Sequence, residues 1–171
     1  LYEDPLIPLY ARDTQGMHFC DFYADLAERF AAFRGQTPAF EKLYRFYEAF
    51  ARLMAAKCRW RENLPALRAE TAEQGIALAQ DCRAEIARCR LAWEALWEQV
   101  NKPFGYEIID LRLSGLDGRY ETAIRKLERL RGGDTAVLAL VREEKLRALS
   151  DEEGRFYGIG AWSDCVSACK I

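Results

Sequence analysis

The side chains of this 171-residue sequence that could carry out chemistry include two neighbouring carboxylates, one histidine and six cysteines. Asp151 and Glu152 form the carboxylate pair, and two carboxylates held in one pocket can act as general acid and base. No apolar strand precedes the pair, and the surrounding Ser-Asp-Glu-Glu-Gly run consists of residues that favour helix caps and turns. The pair is therefore interpreted as a solvated turn, and the chain is predicted to contain no catalytic residue.

The histidine and the cysteines do not predict a site. His18 has no nucleophile or orienting carboxylate at a characteristic spacing, so it is interpreted as a helix-start or exposed residue. The cysteines lack Cys-x-x-Cys spacing, and with one histidine a zinc site would need thiolates from distant segments. We expect buried free thiols in a reducing, cytoplasmic compartment, and neither a metal nor a cofactor. The cysteines are Cys20, Cys58, Cys82, Cys89, Cys165 and Cys169.

Composition favours a soluble globular protein. Half of the residues are hydrophobic, 30% are charged, and the net charge is -2. This charge gives no electrostatic reason to expect nucleic acid or an anionic membrane as a partner. No apolar run approaches the roughly 20 residues that span a bilayer, so we expect neither nucleic acid nor a membrane as partner.

Apolar residues recur at alternating spacings of three and four along most of the chain, which places them on one face of each of four helices. Short turns between long helices indicate an antiparallel arrangement. The stripes are Phe19, Tyr23, Leu26, Phe30 and Phe33; Phe40, Leu43, Tyr47, Phe50 and Met54; Ala79, Cys82, Ile86, Cys89, Trp93, Leu96 and Val100; and Ile109, Leu113, Leu116, Tyr120, Ala123, Leu127 and Leu130.

The predicted fold class is all-α: an antiparallel bundle of about four long helices, with a short helix over 137–149 and an irregular C-terminal tail. We divide the chain into a linker over 1–16 that leads in from a missing N-terminal domain, the bundle over 17–150, and the tail over 151–171.

Several residues mark the expected helix boundaries. Gly35 is a C-cap signal for the first helix, and Thr37 is an N-cap signal for the second. Pro65 is expected to kink or end the second helix, because proline has no amide donor. Thr71 and Gln74 have the spacing of a capping box for the third helix.

The turn between the third and fourth helices carries a family resemblance. The run Asn101-Lys102-Pro103-Phe104-Gly105-Tyr106-Glu107, with Asp110, Arg112 and Leu113 after it, resembles a motif of bacterial glycoside hydrolase family 20 proteins, the β-N-acetylhexosaminidase group. That motif reads Asn-Lys-Pro-Phe-Gly-Phe-Glu, then Asp, then Arg-Leu-Gly-Gly-Leu, in the C-terminal helical region. The runs Tyr2-Glu3-Asp4-Pro5-Leu6-Ile7 and Arg119-Tyr120-Glu121-Thr122-Ala123 are also similar, whereas Ser114 replaces the first glycine of the motif.

The resemblance implies an accessory role. Hexosaminidases of this family use an adjacent Asp-Glu pair on a barrel strand, where the glutamate is the acid and the aspartate orients the substrate's own acetamido group as nucleophile. Because this chain offers no such pair, the resemblance implies a non-catalytic C-terminal domain whose partner is the missing catalytic barrel of the same polypeptide. A free-standing helical dimerisation or protein-interaction module, with a homodimer as partner, remains the alternative.

Residues around the motif are the candidate interface with that barrel. Two interpretations stay open: Asp110 caps the fourth helix while Glu107 and Arg112 pair locally, or this corner faces the catalytic domain. The candidates are Tyr106, Glu107, Asp110, Arg112, Gly115, Trp97 and Trp162.

Two glycines within the fourth apolar pattern require a reason, because a glycine inside a helix costs about 1 kcal/mol relative to alanine. At Gly115 and Gly118 three explanations compete. The helix starts only after Gly115, a neighbouring helix approaches closely, or a surface from another domain or ligand lies against this backbone.

Overall fold

Four helices and two short 3₁₀ turns make up the computed structural model, which describes residues 1, 3–7 and 16–138; no strand occurs among these residues. The predicted all-α class is confirmed. The expected short helix over 137–149, apart from 137–138, and the tail over 151–171 lie outside the described residues. The helices are α1 (Phe19–Phe33), α2 (Glu41–Asn63), α3 (Ala72–Val100) and α4 (Tyr106–Arg131), with 3₁₀ turns at Pro38–Phe40 and Leu64–Ala66.

Helix ends follow the predicted breakers and N-cap positions, but the predicted capping box does not form. Gly35 lies just after α1 with φ of 77°, and Pro65 lies in the turn directly after α2. Thr37 is the N-cap of the turn that leads into α2 and Thr71 is the N-cap of α3, yet neither makes a side-chain capping bond within the described chain, so the capping box predicted at Thr71 is wrong. The Thr71 hydroxyl instead accepts from the amide of Arg68 and donates to the carbonyl of Ala66. It therefore stabilises the turn before α3.

Consecutive helices run antiparallel, as predicted. In each pair of neighbouring helices, a step forward along one helix moves the contacts backward along the other. The contacts that define this are Phe30 with Tyr47 and Phe33 with Tyr44 for α1 and α2; Phe46 with Trp93 and Arg59 with Asp81 for α2 and α3; and Arg90 with Asp110 and Glu73 with Arg131 for α3 and α4.

The hydrophobic core lies between α2, α3 and α4, and the core cluster of the described residues contains none from α1. The predicted stripes of α3 and α4 supply half of it, because both stripes keep their spacing over several turns. Its largest fully buried apolar and aromatic side chains are Tyr120, Leu53, Ile86, Leu113, Leu116, Leu127, Leu130 and Val137.

The stripe predicted for α2 is not its core face. Phe40 and Tyr47 are exposed, and Tyr47 stacks on Phe30 of α1 with ring centroids 5.2 Å apart. The buried face of α2 instead carries Ala49, Leu53, Ala56 and Trp60. Because α2 lies between α1 and α3, part of its predicted stripe packs on α1 and a different face meets the core.

Residues 3–7 form a strap that is fastened to the bundle. The backbone carbonyl of Glu3 accepts a 2.7 Å bond from the Lys57 ammonium, and the carbonyl of Pro5 accepts a 3.1 Å bond from the Trp60 indole. The Leu6 side chain is part of the core cluster. The strap is thus held by α2 through both polar and apolar contacts.

Asp4 joins the strap to α4. Its side chain is almost wholly buried, and its carboxylate lies 2.6 Å from the guanidinium of Arg119. The same carboxylate also accepts the amide of Leu6 at 2.7 Å. A buried carboxylate requires such partners, because an unpaired charge out of water costs several kcal/mol.

Replacing Asp4 with asparagine should destabilise the chain. Asp4→Asn preserves shape but removes the charge that pairs with Arg119, so we expect a loss of about 1–3 kcal/mol in the free energy of unfolding. Urea denaturation followed by circular dichroism measures it. Asp25→Asn, on the exposed side of α1, is the control and should change stability by less than about 0.5 kcal/mol. Equal effects of the two substitutions would contradict a structural role for the strap.

Candidate functional site

The corner between α3 and α4 is built around Gly105. This residue is the N-cap of α4 and has φ of 98°, a conformation that side chains other than glycine rarely adopt. A Cβ at this position would also lie 3.2 Å from the Trp97 ring. The Trp97 indole donates a 2.7 Å bond to the carbonyl of Lys102, and the Glu107 carboxylate accepts the Gly105 amide at 2.7 Å. Trp97 and Glu107 therefore hold the turn itself.

Asp110 is the centre of a polar cluster that joins the two helices. Its carboxylate accepts a 2.8 Å bond from the guanidinium of Arg90 on α3 and a 3.2 Å bond from the Tyr106 hydroxyl. The bond from Arg90 is the main reason why the pKa of Asp110 lies below its ordinary value. Burial, with the neighbouring Asp110 charge, raises the pKa of Tyr106 to about 12. Near pH 7 the pair thus remains a carboxylate and a neutral phenol.

This geometry tests the local roles that the sequence predicts for the residues of the corner. Asp110 lies in the second turn of α4 and does not cap it, so the proposed capping role is wrong. Glu107 binds the backbone at Gly105, and Arg112 lies half-buried further along α4. The structure brings Tyr106 and Asp110 together, with Trp97 and Glu107 at the preceding turn.

A second ion pair continues the connection between α3 and α4. Arg83 binds both carboxylate oxygens of Asp117, at 2.7 and 3.1 Å. Arg131 pairs with Glu73 at the far end of the same two helices. Ion pairs therefore line the edge of α4 that faces α3, and each pair helps to fix the register between these two helices.

The outer side of α4 carries a different pattern. On this side, uncharged residues recur at spacings of four, three, four, three and four. The large apolar residues among them are exposed: Phe104 by 70%, Ile108 by 54% and Leu111 by 59%. We call this set the outer stripe; it consists of Phe104, Ile108, Leu111, Gly115, Gly118 and Thr122. It lies on the side of α4 away from the buried residues of the core.

The two glycines of the outer stripe lie inside α4, because the helix begins at Tyr106. The explanation that the helix starts only after Gly115 is therefore wrong. A Cβ at Gly118 would meet no described atom within 4 Å, so close approach of a neighbouring helix within the described chain does not explain this glycine. The third explanation, a surface from another domain or a ligand, stays a prediction for Gly118.

The cysteines of the described chain are free, and three of the four are buried. Burial raises the pKa of Cys82 to about 12 and the pKa values of Cys58 and Cys89 to about 11. Reactive thiols require the opposite shift, because the thiolate is the nucleophile. Cys82 and Cys89 act as small apolar core residues.

A groove of about 500 Å³ lies between α2 and α3 near the end of α1. Several arginines line it, yet they are paired with glutamates: Arg45 contacts Glu41 at 2.7 Å, and Arg52 contacts Glu48 at 3.0 Å. Arg34 approaches both glutamates, at 3.5 and 3.1 Å. An anionic ligand would have to displace these carboxylates, so the groove is a network of surface ion pairs.

The described residues contain neither a candidate metal site nor a candidate membrane-spanning helix. No group of three histidine, cysteine, aspartate or glutamate side chains there could hold a metal ion. None of the helices described is both long and apolar enough to cross a membrane.

Of the predicted interface residues, Trp162 lies outside the described part of the chain. Gly115 lies on the outer stripe, next to Ile108 and Leu111, which were not singled out from the sequence. Their spacing was visible as a second three-four pattern on the fourth helix. It was overlooked because the stronger core stripe of the same helix accounted for the periodicity.

One of the three comparisons with known proteins returned a match. A family model described as "Glycoside Hydrolase 20C C-terminal domain" matches residues 1–157. The search of curated proteins and the search of solved structures returned no match.

Acid should remove the contribution of Asp110 to stability. Because its folded-state pKa is depressed, the bond to Arg90 stabilises the fold fully above the unfolded pKa of about 4 and is lost as pH falls through the lower folded value. We expect Asp110→Asn to cost about 1 kcal/mol at pH 7, and much less at pH 2.5. Urea unfolding at both pH values measures this, with Asp25→Asn as control. A cost that does not change with pH would contradict the ion-pair role.

Proposed function

The chain belongs to the Glycoside Hydrolase 20C C-terminal domain family, and we propose that it is the non-catalytic helical accessory domain of a β-N-acetylhexosaminidase-like enzyme, packed against that enzyme's catalytic barrel. The family match is the observation that carries the proposal, since it covers nearly the whole bundle. The role is structural: the bundle stabilises the barrel and the loops that shape its sugar site.

The chemistry of the described residues supports a role without catalysis. A glycosidase needs two carboxyl groups in a pocket that binds sugar, one of them able to donate a proton near neutral pH. Asp110, the carboxylate at the centre of the corner, has a depressed pKa and is engaged by Arg90 and Tyr106. Such a group is a poor proton donor and a good structural anchor.

The strap supports a firm connection to a preceding domain. In the parent polypeptide proposed here, the catalytic barrel precedes Leu1, and the chain passes from the barrel into the bundle through residues 3–7. Flexible linkers let domains move independently. This strap instead binds α2 at Lys57 and Trp60 and α4 at Arg119, so the chain would enter the bundle at one defined place.

Two measurements test the proposal. The 171-residue chain alone should not hydrolyse a chromogenic N-acetylglucosaminide, whereas the full-length enzyme should. Ending the full-length polypeptide before Leu1 should lower the midpoint of thermal inactivation by at least about 3 °C, because the barrel loses a packed neighbour. Turnover by the chain alone, or a truncated enzyme with unchanged heat resistance, would falsify the proposal.

The alternative, a free-standing dimerisation module, has one observation in its favour. Aromatic side chains of α1, including Phe22 and Phe33, are exposed and could pack against a second copy. Light scattering of the isolated chain separates the two functions. A tight dimer that dissociates on Phe22→Glu substitution supports the module, and a monomer supports the accessory domain.

A further inference from the structure

We propose that the outer stripe of α4 is the surface that docks onto the catalytic barrel of the same polypeptide. This inference rests on the proposed function and adds to it the face of the bundle that the barrel covers. The polar corner at Asp110 then positions α4 against α3, and the apolar residues beside it make the contact between domains.

The outer stripe combines exposure with a lack of charge. Ile108 and Leu111 lie three residues apart on α4, Phe104 lies in the turn just before the helix, and all three large apolar side chains are exposed. Exposed apolar residues scattered singly are ordinary, but a contiguous set rimmed by polar residues marks an interaction surface. Thr122 is also uncharged. Its hydroxyl donates to the Gly118 carbonyl at 3.0 Å, so a partner could cover it without leaving this group unpaired.

Three charged residues that neighbour the outer stripe are already paired within the bundle. Along one side, Asp110 and Asp117 are bound by arginines of α3. On the other side, Arg119 is bound by Asp4 of the strap. A partner can therefore cover the stripe without leaving these charges unpaired, which removes the main penalty for burying a helix face.

The position of the strap selects the occupant. Arg119 directly follows Gly118, and its guanidinium binds Asp4, so the strap is anchored to α4 one residue from the outer stripe. A domain joined ahead of Leu1 is thereby tethered close to this face, and tethering raises its effective concentration there. A second copy has no such tether, and the exposed aromatics of α1 lie on a helix outside the core shared by α2, α3 and α4.

The glycines of the outer stripe fit the same occupant. Alanine in place of Gly118 would stabilise an isolated helix, and no described atom within 4 Å prevents it. A small residue at this position becomes useful when the backbone of another domain approaches the helix closely. Replacement of Gly118 by alanine should therefore stabilise the isolated bundle and weaken docking.

The experiment uses the full-length enzyme and two matched substitutions. Leu111→Glu changes the outer stripe, whereas Leu91→Glu changes a residue of α3 that lines the groove between α2 and α3 and has a similar exposure, 66% against 59%. In the isolated chain, neither should change the thermal midpoint by more than about 2 °C. In the full-length enzyme, Leu111→Glu should accelerate thermal inactivation about tenfold, and Leu91→Glu should leave its rate within about twofold, since burying a charge costs far more than exposing one.

Gly118→Ala provides a second readout. It should raise the thermal midpoint of the isolated chain and lower that of the full-length enzyme. The inference is overturned if Leu111→Glu and Leu91→Glu act equally, or if Gly118→Ala raises both midpoints. The proposed function itself stands or fails on the truncation before Leu1: an effect of truncation without an effect of Leu111→Glu would place the docking face elsewhere on the bundle.

Discussion

The burial of Tyr120 is the constraint on which the rest of the structure depends. Its side chain is almost inaccessible, its ring meets the Trp60 ring edge-on at 5.7 Å, and the Lys57 ammonium lies 5.9 Å from its centre. Its hydroxyl bonds to the Cys82 thiol of α3, and burial raises its pKa well above the ordinary value. One residue of α4 therefore brings together α2 and α3, and the same Lys57 and Trp60 hold the strap.

The arrangement around Tyr120 explains why polar groups can be buried in this bundle. Lys57 is almost inaccessible, yet it donates to the Glu3 carbonyl and lies near the tyrosine ring. Asp4 is equally buried and is matched by Arg119. These groups carry the strap, and their partners become available only when α2 and α4 are packed together. Fastening of the strap and packing of the bundle are thus one cooperative event.

The two sides of α4 differ in what they contact. The inner side meets the core, and the edge towards α3 carries ion pairs that set the register between the helices. The outer stripe has no comparable use within the described bundle, although Phe104, Ile108 and Leu111 are costly to leave in water. This asymmetry is what the proposed accessory role requires, because such a domain must both fold and pack against a neighbour.

The sequence by itself determined the helices, their approximate ends and the core faces of α3 and α4, because regular spacing, glycines and prolines act locally. It also carried the family motif at the α3–α4 turn. The tertiary structure decided which groups meet: Asp110 pairs with Arg90 instead of capping α4, and the core face of α2 is the face that carries Leu53 and Trp60. Partners distant along the chain, such as Asp4 and Arg119, meet only after packing, and the second stripe of α4 acquires meaning only when the first is known to be buried.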